Sequence, residues 1–146
     1  MKKRRSVLSL TITHRLAAQP RLAAARLAAQ VSDKCAPEDL ITMLDLLNPS
    51  NAPGRVTIIV RMGAEKLRAH LPSLITEVQR AGRNVLWISD PVHGNTRTAA
   101  DGITKTRDFG KIREELRAFF DVHDALGTHA GGVHLEVRWR LVNVSG

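Results

Sequence analysis

Three apolar runs in this chain end in side chains that can do chemistry. Arg55-Val-Thr-Ile-Ile-Val-Arg61 closes on a guanidinium and turns at Met62-Gly63. Trp87-Ile-Ser-Asp-Pro-Val-His-Gly-Asn-Thr96 passes from apolar residues to a carboxylate, an imidazole and a glycine turn, and Gly131-Gly-Val-His-Leu-Glu136 ends on a second carboxylate. In parallel α/β architectures function gathers where strands run into the following loops. Arg61, Asp90, His93 and Glu136 are therefore the first residues to weigh.

A guanidinium at a strand mouth binds phosphate or carboxylate through a two-pronged fork. Position alone gives equal weight to Arg61 pairing with an acid such as Asp90 or Glu136. An imidazole and a carboxylate from neighbouring strand ends are ordinary ligands for Zn, Mn, Co or Fe, the carboxylate favouring the harder ions. A lone loop histidine is more often a hydrogen-bonded surface residue; the pairing of His93 with Glu136 raises the metal reading, although two ligands are fewer than a stable site uses. Asp90 would orient His93 or a bound water. His134 shares a strand face with Glu136, and for His134 a satisfied core histidine is favoured. His123 reads as a helix-face residue, and His129 as part of the loop entering the last strand, away from the chemistry. Lys105, Thr106 and Arg107 precede a helix and would suit an anion; solvated loop charge is the plainer explanation from the residues alone. No Walker loop, GxGxxG fingerprint, zinc-finger spacing or nucleophile elbow occurs.

Strands alternating with helices are needed to position these groups. Pro37 suits a first helical position, Glu38 and Asp39 complement the helix's positive end, and Leu40, Met43, Leu44 and Leu47 keep helical spacing until Asn48-Pro49. A turn at Asn51-Ala-Pro-Gly54 leads into the strand Arg55 to Arg61. Ala64 to His70 makes a short helix that Pro72 restarts, with Leu71, Leu74, Ile75 and Val78 in one stripe and Gly82 as its cap. Asn84 to Ser89 is a second strand and residues 91–107 are a long polar loop. Asp108 caps a helix with Ile112, Leu116, Phe119, Phe120 and Leu126 on one side, which Gly127 closes. Val133 to Val137 is the third strand. Arg15 to Gln30, rich in Ala, Leu and Arg, reads as an amphipathic helix. The expected fold is α/β, with about three parallel strands joined by crossover helices. Alternation alone does not separate a barrel segment from an open doubly wound sheet.

The 146 residues suit one domain and fall short of the roughly 250 of a complete (β/α)8 barrel. The net charge of +8 is uneven. Residues 1–30 hold seven Lys or Arg and no acid, residues 31–137 hold 13 bases against 14 acids, and residues 138–146 hold two Arg and no acid, giving +7, −1 and +2. The basic character thus belongs to the ends. Binding of nucleic acid through residues 1–30 is disfavoured because no aromatic accompanies the arginines. A single cysteine, Cys35, fits a reducing compartment. Met1-Lys-Lys-Arg-Arg5 begins like a signal peptide, but Thr11, Thr13, His14 and Arg15 break the apolar run. No stretch reaches the roughly 18 apolar residues of a membrane span. A cytoplasmic protein is expected.

Taken in order, Leu47-Asn-Pro49, Pro53-Gly-Arg55, Arg61-Met-Gly63, Asp90-Pro-Val-His-Gly-Asn-Thr96, Lys105-Thr-Arg107, Phe119-Phe-Asp-Val-His123, Gly127-Thr-His129 and Gly131-Gly-Val-His-Leu-Glu136 resemble the class II (plant-type) 3-deoxy-D-arabino-heptulosonate 7-phosphate (DAHP) synthases, in their C-terminal portion. The likeness runs from about Pro37 to Glu136. It implies a partial TIM-barrel segment and a reaction condensing phosphoenolpyruvate with erythrose 4-phosphate, the first step of aromatic amino acid biosynthesis. It implies a divalent metal, manganese or cobalt, held by a cysteine, a histidine, a glutamate and an aspartate. His93 matches the histidine and Glu136 the glutamate; Cys35 is not the counterpart of the cysteine, and the aspartate would fall after Gly146. Asp90 and His93 become the candidate catalytic pair. Arg61 matches an arginine that holds phosphoenolpyruvate, and Lys105 and Arg107 become further substrate-binding candidates, although the motif around Lys105 holds one extra residue. Gln30 stands nearest to a lysine with the same role as Arg61.

With half the ligand set, the expectation is a truncated synthase whose activity alone is in question. Its parts would be a basic segment over residues 1–30, a partial barrel domain over 31–137 and a divergent tail over 138–146, both ends foreign to the ancestral protein. Three strands cannot close a barrel and leave an edge to be covered, so a homo-oligomer or a partner fragment is expected. The alternative is a non-catalytic or regulatory subunit that binds a phosphorylated ligand or the intact synthase.

Overall fold

The computed structural model describes residues 9–11, 26–98, 100, 102, 103 and 105–135. In chain order its elements are β1 (Ser9–Thr11), β2 (Leu27–Val31), α1 (Pro37–Leu47), β3 (Val56–Val60), α2 (Ala64–Arg80), β4 (Leu86–Ser89), α3 (Pro91–Gly94), β5 (Thr96–Thr98), β6 (Lys105–Arg107), α4 (Phe109–Ala125) and β7 (Ala130–Val133). The central sheet has the order β1-β2-β3-β4-β7. Strands β2, β3, β4 and β7 are parallel, while β1 runs antiparallel to β2 with Ser9 opposite Gln30.

The four parallel strands lie side by side in sequence order, and α2 packs against both α1 and α4. A doubly wound sheet would reverse its strand order at a switch point and carry helices on both faces. The arrangement seen shows no such reversal among the described residues and is consistent with a partial (β/α)8 barrel segment, with no barrel closed. Its core joins Val56, Ile58 and Val60 of β3 to Leu40 and Leu44 of α1, Leu67, Leu71, Leu74 and Ile75 of α2, and Ala118 and Phe119 of α4.

Several local expectations shift. The strand β2 lies where a helix was expected over Arg15 to Gln30; residues 15–25 fall outside the described residues. Leu27–Val31 pairs residue by residue with Val56–Val60, and Ala28, Ala29 and Val31 are buried there. Ala and Leu favour a helix only weakly, and sheet pairing overrides them. Helix α2 is continuous through Pro72, because one buried stripe from Leu67 to Val78 spans the site where only a single N–H is lost. The segment 91–107 is not a plain loop: it holds α3 and the β5–β6 hairpin. Strand β7 begins and ends earlier than Val133 to Val137. A side chain at Gly131 would strike the Leu86 side chain and come 2.7 Å from the Trp87 carbonyl oxygen, so glycine permits the close approach of β7 to β4. Asp108 caps α4 as expected, accepting from the Lys111 amide at 3.1 Å. Among the described residues no helix is long and apolar enough to cross a membrane.

Candidate active site

Arg61 directly follows β3, and Asp90 and His93 follow β4, its parallel neighbour. The sheet ladder carries one residue past each strand: Arg61 N donates to Val31 O at 3.1 Å and Asp90 N to Val60 O at 2.7 Å. Both loops therefore leave the same edge of the sheet. The Asp90 side chain is fully buried and does two jobs. Its Oδ1 accepts from the His93 amide at 3.1 Å, capping the short α3, and its Oδ2 lies 2.7 Å from His93 Nδ1. Donation from Nδ1 to that carboxylate leaves the lone pair of a neutral ring on Nε2, an assignment made from the hydrogen bond. With Asp90 committed to His93, no carboxylate among the described residues forms an ion pair with Arg61.

A third carboxylate, absent from the sequence-based candidates, underlies both loops. Glu115 of α4 is buried; its Oε1 accepts from Met62 N at 2.9 Å and its Oε2 from Asn95 Nδ2 at 2.6 Å. Burial pushes its proton affinity above the ordinary carboxylate range and Asp90 adds to this, while the Met62 and Gly63 amides and Asn95 oppose it. The signal that could reveal it is spacing: Glu115 shares the buried stripe of α4 with Ala118, Phe119 and Val122.

Above these loops opens a cleft of about 310 Å³, lined among others by Gln30, Ser32, Lys34, Arg61, Lys66 and His93. Lys66 pairs with Asp33 at 2.9 Å. The loop after β2 contributes Ser32 and Lys34, which the helical composition of Leu27–Val31 hides; a strand there marks Val31-Ser-Asp-Lys34 as another strand-end loop.

The remaining candidates divide. Arg107 is exposed on the β5–β6 hairpin, outside the cleft lining, and its Nε donates to Val92 O at 3.2 Å, beside His93. The backbone of Lys105 lies on the same hairpin. Glu136 lies outside the described residues, so its pairing with His93 does too. His134 is half-buried, and its amide donates to Ser89 O at 2.7 Å. His129 is exposed before β7. His123 is no mere helix-face residue: it is buried, with Nδ1 2.7 Å from Thr128 Oγ1 and its ring edge-on to Phe119. Burial, with Asp39 adding, pushes the Cys35 thiol up to about 11. It is a protonated, poorly nucleophilic sulfur at neutral pH.

Among the described residues no three His, Cys, Asp or Glu gather to hold a metal ion. The ring held by Asp90 has the carboxylate-histidine form of a metal ligand. One such residue is not a metal site.

Sequential parallel strands with their polar groups at the carboxyl ends define an α/β protein whose chemistry gathers at one end of the sheet. The chain belongs to the class-II DAHP synthetase family, whose sequence profile matches residues 21–143. That span takes in β2 and residues 138–143, beyond the motifs of 37–136. The chain is 51% identical over 105 residues to a probable phospho-2-dehydro-3-deoxyheptonate aldolase, chloroplastic, of Catharanthus roseus, covering 72% of this chain and 21% of that protein. It is 49% identical over 100 residues to the phospho-2-dehydro-3-deoxyheptonate aldolase of Streptomyces coelicolor, covering 68% and 22%. With the corresponding Mycolicibacterium smegmatis protein it shares 48% over 101 residues, covering 69% and 22%. The chain thus spans about a fifth of the length of these relatives.

Proposed function

We propose that this chain forms the phosphoenolpyruvate-binding part of a DAHP synthase, a transferase condensing phosphoenolpyruvate with erythrose 4-phosphate. The observation that carries the reading is Arg61 and the Asp90-held His93 lining one cleft at adjacent strand ends. In this proposal Arg61 clamps the phosphate or carboxylate of phosphoenolpyruvate through its fork. Lys105 and Arg107 serve the second anionic substrate from the hairpin. His93 and Glu136 contribute two ligands of a manganese or cobalt ion, which when bound would polarise the aldehyde. Asp90 keeps the imidazole oriented. A second copy or a partner fragment would pack against the open sheet, in the cytoplasm.

The test is calorimetric binding of phosphoenolpyruvate to the purified chain, with a phosphate-release assay using both substrates and manganese or cobalt. Arg61→Ala is expected to weaken phosphoenolpyruvate binding at least tenfold, in line with loss of a charge-assisted bidentate contact of about 1.5–3 kcal/mol. His93→Ala is expected to abolish any phosphate release. Binding indifferent to Arg61 overturns the reading.

A second reading, a non-catalytic subunit that binds a phosphorylated ligand, is favoured by Gln30, a neutral side chain in the cleft lining where the resemblance places a lysine. Binding without turnover, even with Gln30→Lys, selects it. Nucleic-acid binding through residues 1–30 would require salt-dependent DNA affinity lost on their deletion.

A further inference from the structure

The geometry points to Glu115 as the residue that sets the spacing between Arg61 and His93, a positioning role that rests on the anion-binding reading of the cleft. The sheet fixes β3 against β4 only as far as Asp90 N on Val60 O. Past that bond no backbone hydrogen bond among the described residues joins the two loops, and the ladder no longer determines where the guanidinium and the imidazole sit. Glu115 takes over there. One oxygen accepts from the amide of Met62, the residue next to Arg61; the other accepts from Asn95, two residues after His93. Asn95 Nδ2 also donates to Pro91 O at 2.8 Å, which closes the α3 turn around His93.

Two glycines make room for this bridge. Gly63 has φ +81°, a left-handed conformation that lets the chain turn its amide inward. At Gly94 a Cβ would come 2.5 Å and 2.9 Å from the two Glu115 oxygens, so the carboxylate occupies the space a side chain would need. A carboxylate presents acceptors on both oxygens. A glutamine would turn an NH2 group toward the NH2 of Asn95. Because Glu115 lies beneath the loops, it acts through Arg61 and His93 without touching a ligand in the cleft.

The experiment uses the full chain with labelled histidine and arginine, as wild type, Glu115→Gln, Asn95→Ala and the control Glu114→Gln, whose exposed parent pairs with Lys111. Ligand-free NMR signals of the His93 ring and Arg61 Nε–H are read first, then phosphoenolpyruvate affinity. Glu115→Gln is expected to move both sets of signals and weaken phosphoenolpyruvate at least tenfold. Asn95→Ala should move the His93 signals more than those of Arg61, and the control neither. Folded Glu115→Gln or Asn95→Ala with unmoved signals overturns the proposal. Should Glu115→Gln fail to fold, Asn95→Ala, which keeps the carboxylate and its backbone donors, decides. Wild type that binds no phosphoenolpyruvate defeats the anion reading, and the ligand-free signals still decide the role of Glu115.

Discussion

Two buried polar side chains share one stripe of α4, and their surroundings treat them differently. Glu115, in the first half of the helix, meets a donor at each oxygen and joins two loops from different strands. His123, two turns on, has one local bond to Thr128, lies 4.6 Å from Phe119 and 6.2 Å from Trp87 between ring centroids, and its Nε2 has no partner among the described residues. Buried polarity at the carboxyl end of the sheet organises loops. At the far end it is packed among aromatics like a core residue. The contrast separates a polar group used for placement from one that fills space, although both are equally hidden from solvent.

The widest gap between the two is expected on truncation. Glu115→Ala strands the Met62 amide and Asn95 in a dry interior and is expected to cost about 3 kcal/mol or more. His123→Phe removes an unsatisfied nitrogen along with one hydrogen bond and is expected to stay within about 1 kcal/mol. Urea unfolding measures both, and similar losses would erase the distinction. Gly94→Ala comes next: its methyl must displace the Glu115 carboxylate, at about 1–3 kcal/mol. A combined Gly94→Ala, Glu115→Ala chain should lose much less than the two single losses added together, since the methyl then has room.

The smallest effect is in pH. Burial, with His129 adding and Asp124 opposing, holds His123 below the usual 6.5. The unfolded chain then protonates first, and stability is lost as pH falls from about 6.5 toward the folded value. Glu115, raised above 4.5, has the opposite sign: the fold takes up its proton first and gains stability as pH falls from the raised value toward 4.5. His123→Phe should therefore remove the loss just below pH 6.5 while the gain through Glu115 persists. Identical urea midpoints against pH in wild type and His123→Phe would contradict this.

What the sequence revealed depended on how local the signal was. Helices α1 and α4 were legible because Pro37 and Asp108 mark their starts and apolar residues recur at helical spacing. Strands β3 and β4 were legible as short β-branched or apolar runs that stop at charged residues, which also exposed Arg61, Asp90 and His93. Strand β2 was hidden, since Leu27-Ala-Ala-Gln-Val31 has helix-favouring composition and becomes a strand only through pairing with Val56–Val60. The loss of β2 concealed Ser32 and Lys34. Glu115 was missed for another reason: an acid on an amphipathic helix reads as solvent-facing until the buried stripe is aligned through Ala118 rather than Leu116. The β5–β6 hairpin has strands of three residues each, too short for an alternating pattern to register.

The reversed strand β1 has a consequence for assembly. By taking the free hydrogen-bonding groups of β2 in the antiparallel sense, Ser9–Thr11 occupies the flank where a same-direction neighbour would have to dock. Among the described residues, the outer side of β7 is the edge of the sheet that belongs to a parallel strand. A companion that pairs directly with β2 must first peel away a three-residue strap.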